Sequence, residues 1–230
     1  MRVGLVLVGG GEGKRLGLSE AKAFVDLEGK PLLAHALEAL QAEPRLAAVV
    51  AVVPAGREDE ARARLRPILR SEIDLAVVAG GEERQNSVLE GLRALSPACD
   101  VVVVHDAARP FVSLRTLEAC VEAAIEHGAA TAAVRATDTI KEVDDVGDVA
   151  HTLDRSRLWM VQTPQAFRAD LLRRAHARAQ REGITATDDA TLVELYGSRV
   201  RAVAGDPGNT KITTPDDLAW ARWRLRREPR

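Results

Sequence analysis

Residues 3–15 read Val-Gly-Leu-Val-Leu-Val-Gly-Gly-Gly-Glu-Gly-Lys-Arg, and this stretch decides the fold class. It opens with an apolar run of the kind found in buried parallel strands. Glycines then stand at Gly9, Gly10, Gly11 and Gly13, which lets the backbone approach a ligand closely and point several N–H groups at it. Arg15 and its neighbour Lys14, followed by Lys22, add positive charge. The stretch predicts a polyphosphate-binding loop at a strand end. A glycine-rich turn needed only for packing is the alternative, and the clustered cations favour phosphate.

The glycine loop follows neither of the two best-known nucleotide-binding patterns. A Walker A loop requires glycine at the position of Val8 and Ser or Thr at that of Arg15. A Rossmann fingerprint requires a small residue at the position of Leu16. Without the Ser or Thr hydroxyl, the usual Mg²⁺ ligand of a P-loop is missing. The spacing therefore disfavours a P-loop NTPase and a dinucleotide-dependent oxidoreductase.

Length and composition predict one domain over residues 1–230, with ordinary contents of 46% hydrophobic and 29% charged residues. A net charge of -2 and 3% aromatic residues disfavour nucleic acid as a partner. No apolar run is long enough to cross a membrane. Cys99 and Cys120 are isolated, so we expect unpaired thiols, no metal cluster and a cytoplasmic location.

Apolar runs alternate with amphipathic stretches along most of the chain. This alternation predicts an α/β fold of the Rossmann-like, three-layer α/β/α kind, with a mostly parallel sheet. Ligands of such sheets bind beyond the carboxyl ends of the strands. The predicted strands are 3–8, 47–53, 73–78, 101–104, 130–134 and 200–203, and the predicted helices are 31–42, 57–69, 85–95, 114–127, 168–181, 188–196 and 215–226.

Residues 139–153 break this alternation. Two short strand-like runs flank the polar turn Asp144-Asp145-Val146-Gly147-Asp148, which predicts a β-hairpin. A lone two-stranded ribbon is marginally stable in water, so we expect this arm, at about residues 137–158, to pack on a second subunit. A hairpin folded back onto its own domain is the alternative.

Further polar motifs follow the predicted strands. Glu82 and Ser87, after Gly80-Gly81, are suited to reading the edge of a base, and Arg84 to meeting a phosphate; an ordinary strand-to-helix turn is the alternative. Asp106 and Arg109 follow an apolar strand, where a carboxylate can hold a ribose hydroxyl or a Mg²⁺-bound water; an ion pair that ties down a loop is the alternative. Other candidates for phosphate or hydroxyl binding, each with a surface or capping role as its alternative, are Arg155, Thr163, Thr187 and Lys211.

In order along the chain, these segments resemble the 2-C-methyl-D-erythritol 4-phosphate cytidylyltransferase family of the non-mevalonate isoprenoid pathway. The resemblance extends from Gly9 to the helix start at Thr214-Pro215-Asp216-Asp217. The sequence departs from the family pattern at two places. Val8-Gly9-Gly10 stands where the family usually has Pro-Ala-Ala, and Ala23 stands where it usually has Gln.

The resemblance implies a role for each matching position. The loop Gly9, Gly10, Gly11 and Gly13 wraps the CTP phosphates, while Arg15 and Lys22 neutralise charge at the reacting phosphorus. Gly81, Glu82 and Ser87 read cytosine. Asp106, Ala107 and Arg109 surround the ribose and the acceptor. The acceptor phosphate is met by Thr139, Arg155, Thr163, Thr187 and Lys211, with the arm residues coming from the other subunit of a homodimer.

The family implies a reaction in which the phosphate of a polyol phosphate attacks the α-phosphorus of CTP and releases pyrophosphate. Mg²⁺ is carried mainly by the CTP phosphates, and no metal is held by protein side chains alone. Two alternatives stay open. One is a ribitol-5-phosphate cytidylyltransferase on the same scaffold, and the other is a protein that binds CTP without turnover.

Overall fold

The protein is a layered α/β structure, seen in a computed structural model that describes residues 1–11, 16–17 and 20–227. Its strands are β1 (Val3–Val8), β2 (Asp26–Leu27), β3 (Lys30–Pro31), β4 (Leu46–Val53), β5 (Asp74–Ala79), β6 (Val101–Asp106), β7 (Ala129–Arg135), β8 (Lys141–Val143), β9 (Val149–Thr152), β10 (Trp159–Arg168) and β11 (Arg201–Ala204). Its α-helices are α1 (Leu32–Leu40), α2 (Glu58–Leu65), α3 (Arg84–Ala94), α4 (Leu114–His127), α5 (Ala169–Glu182), α6 (Asp189–Leu195) and α7 (Pro215–Arg227).

The central sheet has the strand order β11-β7-β10-β6-β1-β4-β5. β5, β4, β1 and β6 are mutually parallel, and β11 is parallel to β7. The carboxyl ends of β1, β5 and β6 therefore open onto one edge, where the segments after each strand can meet. The expected mostly parallel sheet is confirmed.

Side chains alternate between the two faces of this sheet, which divides the core in two. Leu5 and Leu7 of β1 pack in a cluster with α1, α2 and α4, whereas Val6 packs in a cluster with α3, α5 and α6. Helices thus cover both faces, as the three-layer prediction requires. A smaller cluster joins α7 to β2 and to Phe111.

The strand β10 was not predicted, and it lies in the middle of the sheet. It runs antiparallel to both neighbours, pairing Gln165 with Val104 of β6 and Ala166 with Ala130 of β7. Pro164 explains the omission, because proline removes a ladder hydrogen bond and argues against a central strand. The pairing with β7 is irregular between Val161 and Gln165, which accommodates this residue.

Helix α2 is shorter than expected and ends at Leu65 rather than Leu69. Pro67 follows two residues later, and proline has no N–H with which to continue the hydrogen-bond ladder of the helix. By contrast, the predicted start of α7 is confirmed. Thr214 Oγ1 accepts from the Asp217 N–H at 3.2 Å, and Asp217 accepts in return from the Thr214 N–H at 2.8 Å.

The predicted hairpin is confirmed as the antiparallel pair β8–β9, and we call residues 137–158 the arm. All residues of both strands are exposed. Three valines stand out, because Val143, Val146 and Val149 have 53%, 83% and 58% of their surface exposed. The arm leaves the sheet between the carboxyl end of β7 and the start of β10, so it projects from the edge at which β1, β5 and β6 end.

Among the described helices, none has the length and apolar character that crossing a bilayer requires.

Candidate active site

A cleft of about 660 Å³ lies at the carboxyl ends of β1, β5 and β6. Its walls come from segments that are far apart in the sequence: residues 9–11 after β1, residues 81–87 at the start of α3, residues 106–108 after β6, and the C-terminal segment before α7. The sequence-predicted residues that line it are Gly9, Gly10, Gly11, Lys22, Gly81, Glu82, Ser87, Asp106, Ala107 and Lys211. The structure thus brings most of the candidates to one place.

The floor of the cleft consists of residues that leave the backbone accessible. A Cβ atom on Gly10 would lie 3.0 Å from Ser87 Oγ, and one on Gly80 would lie 2.7 Å from the same atom. The Gly81 N–H donates to Ser87 Oγ at 3.2 Å, which fastens the glycine segment after β5 to the start of α3. The close approach explains why small residues are needed here.

The two departures from the family pattern are in contact with each other. A Cβ atom on Gly9 would lie 2.8 Å from the Cβ of Ala23, which is closer than two methyl groups can approach. The Gly9 N–H donates to the carbonyl of Val52 at 2.7 Å, so the backbone has little freedom to move away. Glycine at position 9 therefore suits the position that Ala23 adopts.

Asp106 is the buried carboxylate of the cleft and is surrounded by cations. Its Oδ1 accepts from Arg84 Nε at 3.1 Å, and its Oδ2 lies 2.7 Å from Lys211 Nζ. Burial raises the pKa of a carboxyl group, but here Arg84 and Lys211 outweigh it and hold the pKa of Asp106 well below its usual range. Asp106 is therefore ionised at neutral pH and fixes both cations beside the cleft.

Arg84 extends this network away from the cleft. Its Nη1 donates to Asp189 Oδ2 at 2.7 Å, and Asp189 Oδ1 lies 2.9 Å from Nε2 of His176. Burial lowers the pKa of Arg84, but the charges of Asp189 and Asp106 outweigh it and raise the pKa overall. For Asp189, burial raises the pKa of the carboxyl group. The charge of Arg84 and the hydrogen bond from His176 outweigh burial, so the pKa of Asp189 is lowered overall.

His105 and Thr163 fasten the loop that carries Asp106. The Asp106 N–H donates to Thr163 Oγ1 at 3.1 Å, and Thr163 Oγ1 lies 3.1 Å from Nδ1 of His105. His105 Nε2 lies 3.0 Å from the carbonyl of Arg109. Burial lowers the pKa of His105 to about 4, so the ring is neutral at pH 7. It therefore donates a hydrogen bond from Nε2 to that carbonyl and accepts a hydrogen bond from the Thr163 hydroxyl at Nδ1.

The remaining candidates lie away from the lining of the cleft. Thr163 is buried beside Asp106 in the arrangement just described, and Arg109 donates from Nη1 to the carbonyl of Asn209 at 2.8 Å. Thr139 and Arg155 are exposed in the arm, where Arg155 Nη1 donates to the carbonyl of Thr137 at 2.7 Å. Thr187 is exposed just before α6. Gly13 and Arg15, with Lys14, lie outside the described residues.

Arg84 joins two acidic residues of the network, but the sequence motifs alone had suggested only a phosphate contact for it. The position of Arg84 in the sequence did contain a signal that it needs a carboxylate partner. Arg84 is the first residue of α3, and a cation near a helix N-terminus is unfavourable unless a carboxylate compensates it. The motifs did not indicate that Asp189, more than a hundred residues later, supplies that carboxylate.

The described residues contain no group of three or more His, Cys, Asp or Glu side chains arranged to hold a metal. Both oxygens of Asp106 are already in ion pairs with Arg84 and Lys211. The donor set of the cleft is therefore unsuited to a cation held by protein ligands alone.

Comparison with solved structures supports the fold class. The structure of 4-diphosphocytidyl-2C-methyl-D-erythritol synthase from Anaerococcus prevotii aligns with a TM-score of 0.87 at 27% identity, covering 98% of this chain and 96% of that one. A 2-C-methyl-D-erythritol 4-phosphate cytidylyltransferase from Thermus thermophilus aligns with a TM-score of 0.80 at 34% identity, covering 98% and 100%. Fold and cleft together define a nucleotidyltransferase of the mixed α/β class.

Sequence comparison identifies the family. The family model described as IspD, 2-C-methyl-D-erythritol 4-phosphate cytidylyltransferase, matches residues 3–227. A relative of that name from Pelotomaculum thermopropionicum is 46% identical over 220 residues, which cover 96% of this chain and 92% of the relative. The chain belongs to the 2-C-methyl-D-erythritol 4-phosphate cytidylyltransferase family.

The buried, neutral state of His105 predicts a pH-dependent stability. Its pKa is about 4 in the folded protein and near 6.5 in the unfolded chain, so the folded state binds fewer protons between these values. The free energy of unfolding therefore falls as the pH is lowered through this range. The loss attributable to His105 is about 2 kcal/mol between pH 7 and pH 5.

Urea denaturation at pH 7 and pH 5 checks this prediction with the His105→Gln variant, whose amide can still donate to the Arg109 carbonyl. We expect the variant to lose about 2 kcal/mol less than the wild type between the two pH values. His127→Gln, at an exposed position of α4, is the matched control and should keep the wild-type dependence. Equal losses in His105→Gln and the wild type would contradict the prediction.

Proposed function

We propose that this enzyme transfers a cytidylyl group from CTP to 2-C-methyl-D-erythritol 4-phosphate and releases pyrophosphate. The observation that carries this proposal is the family match over residues 3–227, together with relatives of that name that align over nearly their whole length. The cleft supports it, because glycine backbone and cations line the cleft, and these are the groups that bind the phosphates of a nucleoside triphosphate.

The chemistry requires no nucleophile from the protein. The acceptor's phosphate oxygen is already deprotonated near neutral pH and attacks the α-phosphorus in line. One P–O bond forms while the bond to the β-phosphate breaks, so that pyrophosphate leaves with the electron pair. Catalysis then consists of positioning and of stabilising the negative charge that builds on the phosphates.

Within the cleft, the two ends of the nucleotide have different surroundings. Gly81, Glu82 and Ser87 form the side that is suited to cytosine, where main-chain groups and a carboxylate can read the base edge. Lys22 and Lys211 stand on the side of the phosphates and the acceptor. Arg15, outside the described residues, is assigned to the phosphates by its place in the glycine loop.

Mg²⁺ is part of the proposal and would screen the triphosphate charge when bound. The ion pairs of Asp106 hold Arg84 and Lys211 beside the cleft. Gly10 and Gly11, which follow β1, carry no side chains that would shield their amides. These groups of the protein stabilise the negative charge that the reaction develops.

A homodimer with shared active sites completes the proposal. Thr139 and Arg155, the arm residues assigned to the acceptor phosphate, lie outside the cleft lining of their own chain. The arm leaves the sheet at the same edge as the cleft and exposes Val143, Val146 and Val149. Exposed apolar side chains on a ribbon favour contact with another protein surface. We infer that each arm reaches the cleft of the partner.

A direct assay tests the reaction. Purified enzyme with CTP, Mg²⁺ and 2-C-methyl-D-erythritol 4-phosphate should release pyrophosphate in step with consumption of the acceptor. Ribitol 5-phosphate is the matched acceptor control and should react at least tenfold more slowly, because the family assignment predicts the branched tetrol. Preference for ribitol 5-phosphate would favour the alternative acceptor, and CTP binding without turnover would indicate a non-catalytic protein.

Loss of Lys22 should affect turnover more than nucleotide affinity. The Lys22→Ala variant removes a cation that acts on charge developing in the transition state, so we expect kcat to fall about 100- to 1,000-fold, or about 3–4 kcal/mol. The affinity for CTP, measured by calorimetry, should change far less. Lys30→Ala is the control, because Lys30 pairs with Glu38 away from the cleft. Wild-type turnover in Lys22→Ala would rule out this role.

Subunit mixing tests the shared site. Inactive Lys22→Ala and Arg155→Ala proteins, allowed to exchange subunits, should form heterodimers with one intact site, which restores about a quarter of wild-type activity. Lys22→Ala mixed with Lys211→Ala is the control, because both residues line the cleft of one chain and no intact site can form. No recovery in the first mixture, despite demonstrated exchange, would show that the arm does not serve the partner's site.

A further inference from the structure

A row of ion pairs and hydrogen bonds leads from helix α5 to the cleft. His176 Nε2 meets Asp189 Oδ1 at 2.9 Å, and Asp189 Oδ2 meets Arg84 Nη1 at 2.7 Å. Arg84 Nε meets Asp106 Oδ1 at 3.1 Å, and Asp106 Oδ2 meets Lys211 Nζ at 2.7 Å. We call these five residues the charge row. The two oxygens of each carboxylate have different partners, and Arg84 joins the two carboxylates, so the loss of one member changes which partners the next member can bind.

The inner end of the charge row is deeply buried. The side chains of His176 and Asp189 are each 1% exposed. An ionised carboxylate at such a depth is stable only while its partners are present, and removal of one partner leaves an uncompensated charge. Nδ1 of His176 makes no hydrogen bond within the described part of the chain. The bond between Nε2 and Asp189 is therefore the hydrogen bond that the imidazole ring makes there.

Arg84 has two carboxylates to choose between, and Asp189 determines how it is oriented. Nη1 of Arg84 donates to Asp189 and Nε donates to Asp106, while Nη2 has no hydrogen-bond partner among the described residues. If Asp189 lost its charge, the Arg84 guanidinium would shift toward Asp106 and bind it with two parallel hydrogen bonds, from Nε and the unpartnered Nη2, the geometry that arginine and carboxylate prefer. Arg84 would then compete with Lys211 for the Asp106 carboxylate, which weakens the ion pair that places the Lys211 ammonium group at the cleft.

We propose that Asp189 and His176 are positioning residues for the transfer reaction, which act through Arg84 and Asp106 to hold Lys211 at the cleft. Neither residue lines the cleft, so neither touches the nucleotide. The inference rests on the proposed function, because it assumes that Lys211 acts on phosphate charge during turnover. It adds to that function a set of interactions behind the sheet edge that determines catalytic efficiency.

Steady-state kinetics of Asp189→Asn test the inference. We expect kcat to fall about tenfold or more, with the KM for CTP changed less than about threefold, since a displaced cation matters most when charge develops in the transition state. Glu43→Gln is the matched control. Glu43 is a buried carboxylate paired with Arg45 at 2.7 Å and remote from the cleft, so its loss should lower stability without lowering kcat.

A double-mutant cycle separates positioning from simple loss of stability. Asp189 and Lys211 do not touch, yet the charge row connects them. If Asp189 acts through Lys211, the Asp189→Asn and Lys211→Gln double variant should lose little more kcat than Lys211→Gln alone, rather than the product of the two single losses. Multiplicative losses at equal folded fractions would overturn the proposal.

Substitutions of His176 keep the test informative if Asp189→Asn does not fold. His176→Gln retains a donor that can reach Asp189 and should preserve at least half of the wild-type kcat. His176→Leu removes the donor and should lower kcat about as much as Asp189→Asn. Equal kcat in both His176 variants would overturn the proposal.

Two outcomes distinguish this inference from the proposed function. A wild type that releases no pyrophosphate would contradict the proposed function. An active wild type, together with an Asp189→Asn variant of unaltered kcat, would contradict this inference alone.

Discussion

The ion pairs of Asp106 are the interaction on which the site depends. A carboxylate at this depth would take up a proton if it stood alone, but Arg84 and Lys211 keep its pKa low. In return, Asp106 holds two cations from different parts of the chain at the end of β6. Repulsion between those cations would otherwise oppose their meeting. A nucleotide therefore encounters positive charge that is already in place, which lowers the cost of reorganisation during the reaction.

The backbone around Asp106 is held as firmly as its side chain. β10 runs antiparallel beside β6, so its early residues lie at the carboxyl end of β6, where the cleft is. Thr163 is thereby placed to accept the Asp106 N–H, and neutral His105 keeps the hydroxyl in the required orientation. The insertion of one reversed strand into a parallel sheet thus supports the cleft from below. It also brings the arm, which precedes β10, to the same edge.

Much of the fold followed from local patterns. Residues 3–8 had to form a buried strand because they are apolar throughout, and Thr214 with Asp217 marked the start of α7 because their side chains cap one another. The exposed hairpin was readable from two strand-like runs around a polar turn. β10 could not be read in this way, because Pro164 is unfavourable in a strand and only the pairing partners on both sides compensate for it.

For the site, the sequence by itself determined which residue types gather at strand ends: the glycines after β1 and β5, the carboxylate after β6 and the nearby lysines. Each follows a strand, and parallel strands bring their carboxyl ends together. Only the tertiary structure decided the pairings. That Arg84 joins Asp106 to Asp189, and that Gly9 faces Ala23, depends on distances between segments far apart in the chain. Local sequence does not determine these distances, because they depend on how helices and strands pack against one another.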